Sequence, residues 1–257
     1  GSQKNLLDET PEHCRMIKFK SPIFTNRNIE TIRNNDNPEF RSITLPMTFP
    51  VKTAPGSMKR ALEKLCTSVE EKIDQGYTYI ILSDRSADRD NAPIPSLLAC
   101  AGVHHYLIRT KKRTRVGLII ETADAREVMH FALLFGYGAS AVNPYGVFAT
   151  ISDLVKKEEI KNVRYMKAED NYIKAVNKGL LKVLSKMGTS TLRSYRGSQI
   201  FEAVGLGREL IENYFTGTDS RIGGIGTAEV EREALMQHGT AYLKAPALLE
   251  SQGTYQY

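Results

Sequence analysis

The stretch Tyr77-Thr78-Tyr79-Ile80-Ile81-Leu82, followed by Ser83-Asp84-Arg85, decides the fold. Its β-branched and aromatic run reads as a strand. Immediately upstream, Gly56 to Gln75 places Leu62, Leu65, Val69 and Ile73 at helical spacing, the pattern of an amphipathic helix. Gly76 stands where such a helix needs a left-handed terminator. The same alternation continues outward. Ser42 to Phe49 reads as a strand before that helix. Pro95 to Ile108 reads as a helix after the Tyr77 strand, then Val116 to Glu121 as strand, Arg126 to Phe135 as helix, Ala139 to Asn143 as strand and Gly146 to Leu154 as helix. Alternating elements of this length suit parallel pairing, because each parallel neighbour needs a crossover of a dozen or more residues. The strands are apolar without alternation, so either helices cover both faces or a barrel closes.

Flanking segments are less regular. Residues 1–41 read as an irregular arm punctuated by Pro11, Pro22 and Pro38, with one short helix from Asn26 to Arg33 and Asn26 as its N-cap. The charged run Lys156 to Lys161 reads as a connector and Asn171 to Met187 as a helix with an apolar stripe. Beyond it, a short strand is expected at Leu192–Tyr195, short helices at Gln199–Val204 and Arg208–Tyr214, a glycine-rich loop at Thr216–Gly226 and a last helix at Ala228–Tyr242. The expected division is 1–41 as arm, 42–155 as βα core, 156–243 as helical and short-strand completion of the same domain, and 244–257 as linker.

Of the 257 residues, 41% are hydrophobic and the net charge is +6. That composition supports a buried core and argues against disorder. The densest basic run, Arg109 to Arg115, reads as a solvated helix end and loop. It has no interleaved aromatics, so no nucleic-acid partner is expected. No apolar run is long enough to span a bilayer. Cys14, Cys66 and Cys100 are widely spaced and give neither a zinc pattern nor a disulfide framework, which points to the cytoplasm. Gly1-Ser2 in place of an initiator methionine reads as a cloning remnant, so the chain is expected to be a piece of a longer one.

Chemistry is sought where strands end, since ligands of open α/β sheets and barrels sit there. Three predicted ends are polar: Ser83-Asp84-Arg85, Glu121-Thr122 and Asn143-Pro144-Tyr145. Read as a site, Asp84 and Glu121 are acid–base candidates and Arg85 an anion clamp. Read structurally, they are a hydrogen-bonded network that ties loops to the rim. His104 and His105 are adjacent on a helix and do not share a face, so one packs and the other is exposed. Cys100 reads as a small buried hydrophobe. Gly223-Gly224-Ile225-Gly226 lacks the strand and lysine of a P-loop and reads as a loop. Ser194-Tyr195-Arg196-Gly197 is a turn that suits either an anion or a neighbouring domain's carboxylates.

These segments, taken in order, resemble the central domain of the glutamate synthase large subunit. The resemblance rests on Pro93-Ile94-Pro95-Ser96-Leu97-Leu98, on Val103-His104-His105-Tyr106-Leu107-Ile108-Arg109, and on Lys186-Met187-Gly188 with Ser194-Tyr195-Arg196-Gly197. It implies a reduced or distorted TIM-like (βα) barrel with a helical C-terminal part, between a glutaminase domain and an FMN-binding domain of one polypeptide. It implies that the full enzyme converts glutamine and 2-oxoglutarate to two glutamates with FMN and an iron–sulfur cluster. Reducing power would come from ferredoxin or from a pyridine-nucleotide-dependent small subunit, in cytoplasm or in a plastid stroma. For this stretch it implies no catalytic, cofactor or metal residue, but a scaffold that helps line an ammonia tunnel. Candidates for tunnel or interdomain positions are Thr48, Asp84, Arg85, Glu121, Asn143, Tyr195 and Arg196. The competing readings are an autonomous enzyme using Asp84, Glu121 and Arg196, and a module binding 2-oxoglutarate or flavin phosphate through Arg196 and the Gly223–Gly226 segment.

Overall fold

The computed structural model describes residues 7–14 and 16–242. Its elements in chain order are α1 (Asn26–Arg33), β1 (Ser42–Pro46), β2 (Thr48–Pro50), α2 (Ser57–Asp74), β3 (Tyr79–Ser83), β4 (Asn91–Pro93), α3 (Ser96–Arg109), β5 (Gly117–Glu121), α4 (Val128–Gly136), β6 (Ala141–Asn143) and α5 (Tyr145–Lys156). There follow α6 (Tyr165–Lys186), α7 (Leu192–Tyr195), β7 (Glu202–Leu206), α8 (Arg208–Tyr214), β8 (Asp219–Ile225) and α9 (Thr227–Ala241).

Four strands pair in parallel in the order β1-β3-β5-β6. β3, β5 and β6 are buried at every position, as expected when both faces are covered. Helices α2 and α3 contribute Leu62, Val69, Val103 and Leu107 to the larger core cluster. On the opposite face, Phe24, Ile29 and Ile32 pack over Tyr79, Ile81 and Ile119. Each such buried side chain contributes about 1.5–3 kcal/mol of hydrophobic stabilisation.

The sheet is open: among the described residues it does not close into a barrel, so the arrangement is an open parallel α/β sheet. Beyond β6 the sheet is continued by the arm. Ile23 bridges Val142 in parallel, with Phe24 N–H donating to Val142 O at 2.8 Å and Val142 N–H to Pro22 O at 2.9 Å. Register aligns the four strand ends, Pro46 with Ser83, Ser83 with Glu121 and Glu121 with Asn143. That row of C-terminal residues is the polar rim anticipated from sequence.

Several local expectations are corrected. The strand expected over Ser42–Phe49 splits at Met47, whose N–H bonds Ser83 O and whose carbonyl accepts from Ile94 N–H. β2 then turns away to pair antiparallel with β4. The N-cap of α1 is Thr25, not Asn26: Thr25 Oγ1 accepts from Asn28 N–H, and the Asn28 side chain accepts from Thr25 N–H. α6 starts at Tyr165, before the expected Asn171. Leu192–Tyr195 is a single helical turn, because Thr191 Oγ1 caps Ser194 N–H at 3.1 Å. The expected helix at Gln199–Val204 gives way to strand β7, and the expected glycine-rich loop contains strand β8. Their glycines serve close approach: a Cβ on Gly224 would collide with the Gly205 carbonyl. This second parallel ribbon is two-stranded and leaves Val204 and Ile222 exposed.

Candidate functional site

The rim is built around Glu121, whose side chain is fully buried. Arg85 Nε donates to its Oε1 at 2.6 Å. Ser83 Oγ at 2.6 Å and an Arg33 guanidinium nitrogen at 2.9 Å both donate to Oε2. Three donors and two cations thus occupy one carboxylate. Arg85 also lies 3.9 Å over the Tyr145 ring and reaches Asn26 Oδ1 at 3.3 Å. Asn143 donates from Nδ2 to Phe24 O at 2.9 Å and to the same Asn26 Oδ1 at 3.1 Å.

Asp84, directly after Ser83 at the end of β3, is buried beside this node. Its Oδ2 accepts from Thr122 Oγ1 at 2.6 Å and from Ala123 N–H at 3.1 Å, while Oδ1 has no hydrogen-bond partner. Burial pushes its carboxyl above the usual carboxylate range, against the pull of Thr122 and of the Tyr145 hydroxyl. Burial and the Asp84 carboxylate likewise push the Tyr145 phenol upward. A general base needs an open lone pair within reach of a substrate proton; Glu121 spends three of its about four acceptor sites on its own fold, and Asp84 spends its Oδ2 on the β5–α4 loop and buries its Oδ1.

The structure therefore brings together Asp84, Arg85, Glu121 and Asn143, as the sequence placed them. It does not bring Thr48, Tyr195 or Arg196 to that rim. Thr48 pairs with Pro93 in the antiparallel ribbon and lines a separate groove of about 400 Å³ with Leu45, Ser57, Arg60 and Lys64. Tyr195 is fully buried near Phe201. Arg196 lies near the opposite sheet end, donating to Ser140 Oγ at 3.2 Å. Residues the sequence reading missed are Arg33 and Asn26, contributed by the arm. No local pattern marks them, although Arg33 closes an amphipathic helix whose buried positions are Ile29 and Ile32.

The basic run is also corrected at one position. Lys112 bridges Glu70 and Asp74 on the surface, but Arg113 turns inward. It donates to His104 Nδ1 at 2.8 Å, Val116 O at 2.9 Å and Gly138 O at 2.6 Å. An acceptor Nδ1 makes His104 the neutral Nε2–H tautomer, and burial with the adjacent Arg113 charge holds its pKa down at about 3. His105, only half-buried, is depressed to about 4.

Cofactor fit is poor here. Burial pushes the Cys66 and Cys100 thiols up to about 12, which disfavours the thiolates an iron–sulfur cluster needs. No group of three or more His, Cys, Asp or Glu that could hold a metal ion occurs among the described residues. The segment at Gly223–Gly226 is committed to strand and helix start, not to a phosphate cradle.

An open parallel α/β domain with its strand-end carboxylates engaged internally is the class that fold and rim define. A family model described as "Glutamate synthase central domain" matches residues 1–207, and the chain belongs to that family. The Bacillus subtilis (strain 168) protein "Glutamate synthase [NADPH] large chain" is 39% identical over 94% of this chain and 16% of its own length. "Glutamate synthase [NADH]" of Schizosaccharomyces pombe is 38% identical over 94% of this chain and 12% of its own length. "Ferredoxin-dependent glutamate synthase" of Pyropia yezoensis is 37% identical over 100% of this chain and 17% of its own length. The chain thus spans less than a fifth of these relatives. Among solved structures, a mutant flavocytochrome b2 with benzoylformate aligns with 74% of this chain and 40% of its own at TM-score 0.42 and 11% identity, too distant to bear on the fold.

Proposed function

We propose that this chain is a non-catalytic central scaffold of a glutamate synthase. In the whole enzyme it would join a glutaminase domain to an FMN-binding domain that also carries an iron–sulfur cluster, and would help line the path of ammonia between them. Electrons would enter elsewhere, from ferredoxin or a pyridine-nucleotide subunit; the printed names of the relatives include NADPH, NADH and ferredoxin dependence. Cytoplasm or a plastid stroma is the corresponding compartment. One relative is described as chloroplastic, and no helix among the described residues is long and apolar enough to cross a membrane.

The observation that carries this reading is the engagement of Glu121 by Arg33, Arg85 and Ser83. A rim whose central carboxylate is engaged by its own fold serves to hold strand ends together. Thr48 supports the tunnel part of the reading through its small hydroxyl on an open groove, and Tyr145 with Arg85 supports a braced interdomain rim. The test is a flavin-fluorescence titration of the purified chain with FMN, with and without 2-oxoglutarate. A flat titration into high micromolar flavin is expected. Saturable quenching would give the chain a flavin or phosphate site of its own and end the scaffold assignment.

A further inference from the structure

A second node of buried cations lies away from the rim, and it has no carboxylate. Arg113 satisfies its donors on neutral acceptors only: His104 Nδ1, Val116 O and Gly138 O. Arg196 donates to Ser140 Oγ, and its Nε is buried without any hydrogen-bond partner. Burial and the nearby Arg196 charge depress the proton affinity of Arg113 to about 10, and burial with the Arg193 charge depresses that of Arg196. No ion pair to either arginine occurs among the described residues. Buried charge without a counter-charge is costly, and an unmade hydrogen bond on a buried donor adds to it.

Ser140 connects this node to a cleft. The cleft measures about 280 Å³ and lies between the arm, β3, β5 and β6, walled by Phe19, Phe24, Ile32, Ile119 and Leu192. Tyr79 lines the same cleft, nine-tenths buried, with its hydroxyl beside the Ile17 backbone. Lys20 stands exposed on its wall. Apolar walls with a few converging donors are the usual composition of a small-ligand site, and this volume sits just below the ~300 Å³ at which drug-sized pockets begin.

We propose that this cleft binds a small monocarboxylic acid with an apolar body, its carboxylate accepting from the Ser140 hydroxyl on the cleft wall and balanced in charge by Arg196, which stands behind Ser140 and bonds its Oγ. Ser140 Oγ accepts from Arg196, so its own O–H is free to donate to the ligand. The ligand anion would supply the counter-charge that Arg196 and Arg113 lack, while the hydrocarbon displaces water from the phenylalanine and isoleucine walls. The site is independent of the scaffold assignment, which concerns the other end of the strands.

The probe is hexanoate, titrated into the purified chain by calorimetry and by thermal melting. Hexanol, inorganic phosphate and chloride at matched ionic strength are the comparisons. Hexanoate should bind saturably and raise the melting temperature more than any of the three. Arg196→Gln should weaken it at least tenfold while the unliganded variant stays folded, since an uncompensated cation has been removed. Should that variant unfold, Ser140→Ala provides the same readout, with an expected three- to tenfold loss. Hexanol acting as well as hexanoate would reduce the cleft to an apolar sink and overturn the proposal. Phosphate acting as well would make it a bare anion site, and a hexanoate response equal to chloride would remove the site altogether. Undiminished hexanoate binding by both variants would place the carboxylate elsewhere and overturn it equally.

Discussion

Two arginine nodes sit at opposite ends of the same sheet, and they differ in one respect. At the C-terminal rim, Arg33 and Arg85 share the fully buried Glu121. At the other end, Arg113 and Arg196 each bond only neutral acceptors, with no acceptor in common. At the first node the central charge is compensated within the chain, so its polar residues hold loops in place, and the rim atoms left without partners, Asp84 Oδ1 and Asn143 Oδ1, are buried. The second is incomplete, and incompleteness is what invites a ligand. Density of charged residues is therefore a poor guide to a binding site; whether each charge already has its counterpart is the better one.

The most direct test of this contrast is Glu121→Gln. It strands two partly exposed cations over a buried amide at the paired node, and with water screening the arginines the loss should be about 1–3 kcal/mol. Denaturant unfolding should show that loss, whereas Arg196→Gln at the unpaired node should show almost none. Equal losses would erase the distinction.

Acid comes next. The unfolded chain protonates His104 near the ordinary 6.5, but the folded chain only near 3. Between these values the unfolded state binds the extra proton, so stability present above pH 6.5 is lost as pH falls toward 3. Arg113, Arg196 and His105 all face the ring and oppose its charging. The loss should be on the order of 3 kcal/mol, read as denaturation midpoints against pH, and His104→Gln should flatten that slope.

Gly138→Ala should cost about 2–3 kcal/mol through overpacking and backbone strain. Gly138 has φ 111° and its Cβ would strike His104 Nδ1, so the substitution should also displace the Arg113 contacts, visible as altered histidine NMR signals. Asp84→Asn is the mildest change at the rim. Because burial raises the Asp84 carboxyl, the folded state binds the proton more tightly than the unfolded one. Its charge therefore weakens the fold as pH rises through the raised value. At neutral pH the asparagine variant should be as stable as the parent or up to ~1 kcal/mol more so, with the gain vanishing in acid.

Much of this architecture was legible in the residues. The βα rhythm from Ser42 to Leu154 survives in β1, α2, β3, α3, β5, α4, β6 and α5 because apolar period and breakers agree there. Asp84, Arg85, Glu121 and Asn143 could be placed at one rim because parallel strands must end together. What failed was local reading where long-range pairing decides. Glu202–Leu206 carries a left-handed glycine, Gly205, and forms a strand only because Asp219–Ile225 lies beside it. Arg113 looks like any other member of a basic run, since nothing in its neighbours announces the Gly138 carbonyl 25 residues away. Arg33 reaches Glu121 across 88 residues, beyond any spacing rule.

The arm has a practical consequence for anyone dissecting this polypeptide. A fragment begun at Ser42, where the regular alternation starts, would look like a sensible excision. It would remove Ile23 from the β6 edge, uncover the Phe24–Ile29–Ile32 face and take away one of the two counter-ions of Glu121. The irregular leader is thus a clasp, and an excision that keeps the sheet edge and the Glu121 node intact must begin well upstream of the first strand of the sheet.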